Sequence, residues 1–295
     1  MTAGAAPKRP APADSGVLVV LGTGGMGLAI ARLLGPGRTV LLGDRSDAAL
    51  DAATAALADR DVRVVTQHVD VTSGDSVTAF AGRASGLGPV TQIACTAGVS
   101  PEQAPVEQIL AVDLAGTARV LDSFGQVVAP GGAGVVIASL AGHLGMHPVT
   151  ADQEAALALV PAEELLALPF LAPERFPNPQ AAYGLAKQAN RLRVRASAAA
   201  WGARGARINS ISPGIVTTPM GQLELAGPFG ELIATMAKDS PAGRPGTAGD
   251  VAQAAQFLLG TGAAYVTGTD LLLDGGVLAA STLASAAGTG RRRVQ

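Results

Sequence analysis

Tyr183 and Lys187 stand four positions apart in Tyr183-Gly184-Leu185-Ala186-Lys187, inside an Ala-rich stretch whose composition favours helix. On a helix that spacing places both side chains on one face. A phenol titrates at about pH 10, so it shuttles protons poorly at neutral pH unless a neighbouring cation favours its ionised form. Lys187 is that cation, and the pair is a candidate general acid/base. A Tyr-x-x-x-Lys pair also arises by chance in Ala-rich helices, so its weight depends on the rest of the chain. Ser139 supplies a hydroxyl at the end of an apolar run, Gly134-Val-Val-Ile-Ala138. Ligands bind at the carboxyl ends of strands in open parallel sheets, although a serine there is also a common turn residue.

A second group of residues suits a different task. Gly22-Thr23-Gly24-Gly25-Met26-Gly27 lies between the apolar run Val17–Leu21 and the helical stretch Leu28–Leu34. Strand, glycine loop and helix in that order form a dinucleotide fingerprint. The glycines allow a tight turn and close backbone approach to a pyrophosphate, which sits on the positive end of the helix dipole. Asp44 ends the second predicted strand, Thr39–Leu42, about twenty residues past the loop. A carboxylate there accepts the adenosine ribose hydroxyls and repels a 2′-phosphate. Arg45 follows and would attract that phosphate instead, so NAD is the expected cofactor and NADP the alternative. Asp44 also reads as a cap for the helix after Ser46.

The elements that must hold these groups alternate. An Ala-rich helix is expected near 47–59, a strand over Val62–Val69 closing on Asp70-Val71, and a helix from about Ser73. A fourth strand near Thr91–Cys95 runs into the small-residue corner Thr96-Ala97-Gly98-Val99. A long helix bearing Asp113, Gly116 and Thr117 then ends before Pro130-Gly131-Gly132, ahead of the strand that delivers Ser139. This pattern predicts an α/β fold: a Rossmann-type doubly wound parallel sheet of about seven strands, in a single domain over 16–280. Residues 1–15 read as a disordered Ala/Pro extension, and 281–295 as a flexible tail carrying Arg291–Arg293. No internal repeat is visible.

Composition narrows the functional classes. The chain has 295 residues, 48% of them hydrophobic and 15% charged, enough to bury a sizeable core. A formal net charge of -2 and no basic stripe argue against a nucleic-acid or anionic-membrane surface. No apolar run reaches spanning length without glycine or charge, and no signal peptide is seen. Cys95 is the single cysteine, so neither an intrachain disulfide nor a cysteine metal site is expected, and a cytoplasmic home fits. His68, His143 and His147 form no metal motif; His143 and His147 read as ordinary loop histidines or as residues lining a pocket.

These residues together resemble the short-chain dehydrogenase/reductase family from Val17 to Val277. Tyr183-x-x-x-Lys187 resembles the family's catalytic pair, and Ser139-Leu-Ala-Gly142 its catalytic-serine segment. Asp70-Val71 falls where the family contacts adenine, and Ala97-Gly98 where its Asn-Asn-Ala-Gly corner lies. Asn209-Ser-Ile-Ser-Pro213-Gly214-Ile215-Val-Thr-Thr218 falls where the family holds nicotinamide, and Tyr265 to Gly276 matches its ending. The resemblance implies hydride transfer between NAD(P) and a secondary alcohol or ketone, and a homodimer or homotetramer. In that scheme Tyr183 moves the proton, Ser139 holds the substrate oxygen, and Lys187 tunes Tyr183 and binds the nicotinamide ribose.

The sequence departs from the family pattern in four places. The glycine loop is about one residue short. Cys95-Thr96 replaces two asparagines, removing polar contacts on the adenine side. Asp113 replaces an asparagine that holds a water leading to the lysine, which implies an altered proton relay. Finally, Ser139 and Tyr183 are 44 positions apart, much farther than is usual in the family. The extra segment, 147–179, reads as a helical hairpin built from Ala155–Val160 and Ala162–Leu168, beside the site as a cover or a subunit contact. A similar insertion marks the bacterial 3α-hydroxysteroid dehydrogenase/carbonyl reductase branch and hints at a bulky, apolar, steroid-like substrate. The alternative is a non-catalytic dinucleotide-binding sensor or scaffold on the same fold.

Overall fold

The computed structural model describes residues 16–282; the expected extension 1–15 and the chain from 283 onward, with Arg291–Arg293, lie outside the described residues. Residues 281 and 282 continue a helical turn rather than beginning the expected tail. Strand β1, Val17–Leu21, is five aliphatic residues in a row, all buried. A strand with no polar face must be covered on both sides, as central strands of parallel sheets are. β1 pairs in parallel with β2 (Thr39–Asp44) on one side and β4 (Val90–Cys95) on the other, and β3 (Arg63–His68) lies outside β2. Beyond β4 come β5 (Val128–Ile137) and β6 (Arg207–Pro213). A short separate pair, β7 (Val216–Thr217) with β8 (Gly246–Thr247), precedes the edge strand β9, Asp270–Leu273. The main sheet has the order β3-β2-β1-β4-β5-β6-β9, all parallel, as expected from the strand–helix alternation.

Helices α1 (Gly25–Leu34), α2 (Asp47–Ala55) and α3 (Gly74–Leu87) fill the first crossovers. Next, α4 (Val106–Ile109) passes through a π-helical stretch, Leu110–Gly116, into α5 (Thr117–Val127). Then follow α6 (Ala151–Leu159), α7 (Pro179–Ala203), α8 (Pro219–Ala226), α9 (Gly230–Lys238) and α10 (Ala248–Leu259). The period-2 alternation of β1 divides the core. Val17, Val19 and Leu21 pack with Phe80, Phe124 and Trp201 on the face of α3, α5 and α7. Leu18 and Val20 pack with Ile30 and Leu258 on the face of α1 and α10. The helix α7 starts on Asn178, whose side chain accepts from the Ala181 amide at 2.9 Å, with Pro179 in the first turn where its missing donor costs nothing.

Segment 147–179 departs from the expected hairpin. Only Ala151–Leu159 is α-helical, opened by a Thr150/Gln153 capping box. Pro161, Pro169 and Pro173 remove amide donors, so the rest runs as three short 3₁₀ turns rather than a second helix. Its Leu157, Leu165, Leu171 and Phe176 form a third core with Ile109, Leu114, Leu185 and Ala189. Arg193 of α7 donates to the Leu157 and Val160 carbonyls, each at 2.9 Å, and Arg119 of α5 makes a two-pronged pair with Glu163. The insertion is thus bound to the outer side of α5 and α7, and none of its residues lines either cavity described below.

Candidate active site

The strand order reverses between β1 and β4, and a crevice opens beyond their carboxyl ends. The glycine loop occupies it. Gly22 has φ +97°, and a Cβ there would lie 2.5 Å from the Ala97 amide nitrogen; a Cβ on Gly27 would lie 1.9 Å from the Gly22 carbonyl oxygen. Only glycine lets this backbone fold so tightly. Thr96 Oγ1 donates to the Gly22 carbonyl at 2.6 Å. The expected loss of polar contacts at Cys95-Thr96 is therefore partly made good by this one. Gly24 caps α1 without a side chain, so the first-turn amides face the groove with no internal acceptor.

The groove encloses about 280 Å³ and is lined by the loop, Asp44-Arg45, Asp70-Val71, Ala97-Gly98 and Thr218–Met220. Asp44 Oδ2 accepts from the Thr23 amide at 2.8 Å and from the Thr23 hydroxyl at 2.9 Å, which joins the acid to the loop. Its other oxygen accepts from the Ser46 amide at 3.0 Å, but the cap of α2 is Ser46 itself, whose hydroxyl accepts from the Ala49 amide, so Asp44 steadies the cap rather than supplying it. Burial works to raise the Asp70 carboxyl, but two bonds from Thr72 and the charges of Arg45 and His68 hold it below the usual carboxylate range. An uncapped helix end, bare glycine backbone and an oriented strand-end carboxylate fit a dinucleotide.

Ser139 and Tyr183 line a second, adjacent cavity with Pro213, Gly214, Thr218 and Glu224. Ser139 arrives at the end of β5 and starts a short 3₁₀ turn, Leu140–His143, its Oγ accepting from the Ala141 amide. Gly142 lets that turn press onto α7, because a Cβ there would meet the Gln188 nitrogen at 2.7 Å. The approach brings Ser139 to the cavity that Tyr183 also lines. Lys187, 4% exposed, lies one turn below with Nζ 5.3 Å from the centre of the Tyr183 ring. Its ammonium donates to Asp113 Oδ1 at 3.0 Å and toward the Ile137 carbonyl at 3.5 Å.

Asp113 sits in the π-helical stretch and is wholly buried. Such widened turns recur at functional sites. The Val99 amide reaches both carboxylate oxygens at 3.3 Å, and Gly98 leaves room for the pair, since a Cβ there would lie 2.5 Å from Asp113 Oδ1. The residue expected to relay protons through a water thus touches the lysine directly. Burial would depress Lys187, but the charges of Asp113 and Tyr183 outweigh it and raise its pKa, while burial raises Asp113 against the pull of Lys187. The upward direction at Lys187 favours its ammonium, whereas the upward direction at Asp113 works against its carboxylate, so burial opposes the pair and the mutual contact sustains it. Burial also pushes the Tyr183 phenol up, aided by Asp113 and Glu224 and opposed by Lys187 and Ser139. Lys187 thus pulls Tyr183 in the expected direction, but desolvation is the larger influence.

Most of the anticipated residues converge on these two cavities, but Ile215 lines neither, and Lys187 and Asp113 lie buried behind them. His143 pairs with Asp270 at 2.9 Å, and His147 stacks on Phe176 with ring centres 4.6 Å apart. Burial pushes the Cys95 thiol up to about 12, which makes it an inert core residue. Sequence reasoning missed Glu224; its signal was a lone charge in α8, six residues past Thr218.

A doubly wound sheet with a dinucleotide crevice and a Ser/Tyr/Lys cluster beside it defines a class of nicotinamide-dependent oxidoreductases. Residues 16–151 match the family model described as short chain dehydrogenase, and 151–278 the one described as enoyl-(acyl carrier protein) reductase. A short-chain dehydrogenase/reductase, bsc3, of Alternaria brassicicola is 45% identical over 262 residues, covering 89% of this chain and 95% of that protein. A 3-alpha-hydroxysteroid dehydrogenase/carbonyl reductase of Comamonas testosteroni is 33% identical over 184 residues, covering 61% of this chain and 70% of that protein. The crystal structure of levodione reductase superposes with a TM-score of 0.71 at 25% identity, covering 90% of this chain and 98% of that one. The chain belongs to the short-chain dehydrogenase/reductase family, whose members bind a nicotinamide cofactor and act as oxidoreductases on alcohols and ketones.

Proposed function

We propose that this chain is an NAD-dependent dehydrogenase/reductase of secondary alcohols and ketones, with Tyr183 as proton donor and acceptor and Ser139 holding the substrate oxygen. The observation that carries this reading is the juxtaposition of Ser139 and Tyr183 in one cavity, against the groove that the glycine loop lines. A bound nicotinamide accepts or gives the hydride. The chain's own groups do the rest. Ser139 and Tyr183 orient the carbinol oxygen, and Tyr183 takes its proton in oxidation and returns it in reduction. Lys187 steadies the ionised phenol, while buried Asp113 balances the lysine's charge and joins the catalytic set as its partner. Asp44, held by Thr23, supports NAD; the exposed Arg45 is the route to NADP.

The apolar side chains of Met26, Ala138, Val216 and Met220 around the cavity support a substrate with an apolar body, in keeping with the hydroxysteroid and levodione relatives. Exposed Phe257 and Tyr265 support a homodimer or homotetramer, which light scattering would test. The lone buried thiol is compatible with a cytoplasmic home. The deciding experiment is a parallel fluorescence titration with NADH and NADPH, followed by nicotinamide absorbance with a panel of secondary alcohols and ketones. Tighter NADH binding and turnover are expected. Binding of neither nicotinamide would sink the assignment.

A further inference from the structure

Glu224 carries no proton in the chemistry just described, although its charge helps push the Tyr183 phenol up, and it lines the same cavity as Ser139 and Tyr183. It is half-buried and is the only charged residue of α8. Among the described residues its carboxylate accepts no hydrogen bond and makes no ion pair. Its nearest charged company includes a like charge: Glu102, in the loop after β4, whose carboxyl carbon is 2.8 Å from where a Cβ on Gly227 would sit, just past the end of α8. Burial and Glu102 both raise its pKa, against the smaller pull of Lys187. A carboxylate taken partly out of water with an acid beside it and no donor in reach is costly, and buried polar groups of this kind are normally answered by a partner. In a ligand cavity, such convergent polar groups fix orientation and specificity.

Building on the dehydrogenase reading, we propose that Glu224 is a specificity-determining residue whose carboxylate receives a hydrogen bond from a second donor group on the substrate, a hydroxyl or an ammonium, away from the reacting carbinol. The substrate is then difunctional: an apolar frame with a secondary alcohol or ketone at one end and a donor at the other. Monofunctional alcohols leave Glu224 unanswered, and substrates carrying a carboxylate at that position are repelled by it and by Glu102. Sites built to bond a polar group discriminate strongly against analogues that lack it.

The test compares kcat/KM for cyclohexanol, the cyclohexanediols, 4-aminocyclohexanol and 4-hydroxycyclohexanecarboxylate in the wild-type protein, Glu224→Leu and Glu224→Gln, with NADH binding measured on each. A preference of at least about tenfold for a diol or the amino alcohol over cyclohexanol is expected. The preferred compound identifies the donor as hydroxyl or ammonium. In Glu224→Leu the preference should collapse, with kcat/KM for the difunctional substrate falling by at least about tenfold relative to that for cyclohexanol. Glu224→Gln should keep part of the diol preference and turn over the carboxylate substrate better. Equal kcat/KM for cyclohexanol and its difunctional partners, or a preference that survives in Glu224→Leu, would overturn the inference and leave the dehydrogenase intact. NADH binding without turnover of any of these compounds overturns the substrate class alone, whereas failure to bind either nicotinamide overturns the dehydrogenase reading with it.

Discussion

The groove beside β1 and the cavity beside β5 share one sheet edge but are built from different materials. The groove is largely backbone: Gly22, Gly24, Gly25 and Gly27 bring amides to a helix end that no side chain caps. The cavity is side-chain chemistry: Ser139, Tyr183 and Glu224, with the Lys187–Asp113 pair beneath. In the groove, function depends on what is missing, since a Cβ on Gly22 or Gly27 would strike main-chain atoms. In the cavity it depends on what several distant segments bring and how much water they exclude. A backbone site tolerates changes in neighbouring side chains but not in its glycines; a side-chain site is sensitive to single atoms.

This contrast can be broken or sharpened by substitution. The largest effect is expected at Tyr183→Phe, which keeps the ring and removes the proton carrier: turnover should fall by roughly two to four orders of magnitude with NADH affinity unchanged. Near-normal turnover would remove Tyr183 from the mechanism. Ser139→Ala should lower kcat by about two orders of magnitude, the usual worth of one donor on a developing charge, again without weakening NADH. A decline confined to cofactor affinity would move Ser139 to the groove.

Gly27→Ala reverses the pattern. The methyl strikes the Gly22 carbonyl, so NADH affinity should drop about tenfold or more while the cavity stays intact, read as a raised Kd by fluorescence titration. Asp44→Asn should narrow the NADH over NADPH preference by about tenfold or less, because it removes one repulsive charge and leaves Arg45 in place. An unchanged ratio would show that Asp44 serves only Thr23 and Ser46.

Asp113→Asn gives the subtlest readout, a moved pH profile. Alcohol oxidation needs ionised Tyr183, so its rate rises with pH through the tyrosine's pKa, which burial and then Asp113 push upward. Removing the Asp113 charge removes part of that push, and the oxidation profile should move to lower pH. Ketone reduction needs the protonated phenol, so its falling limb should move the same way. A lower rate with an unmoved profile would mean that Asp113 only holds the fold.

Much of this molecule was legible in short stretches of sequence. The all-aliphatic Val17–Leu21 had to be a central strand, and the glycine loop with Asp44 announced a dinucleotide crevice before any contact was known. The caps at Ser73 and Asn178 are local bonds between residues three apart. The insertion was misread because apolar spacing was given more weight than its prolines, which end α6 and force 3₁₀ turns. Its placement against α7 rather than over the cavity was beyond any local pattern.

The sequence by itself determined which segments become strands, helices and tight turns, because those choices rest on the preferences of neighbouring residues. Only the tertiary structure decided that Lys187 meets Asp113, 74 positions away, that Gly142 presses the Ser139 turn onto α7, and that Glu224 faces the reacting groups. The strength and sign of these charge interactions depend on burial, and burial is a property of packing between segments that no single stretch contains.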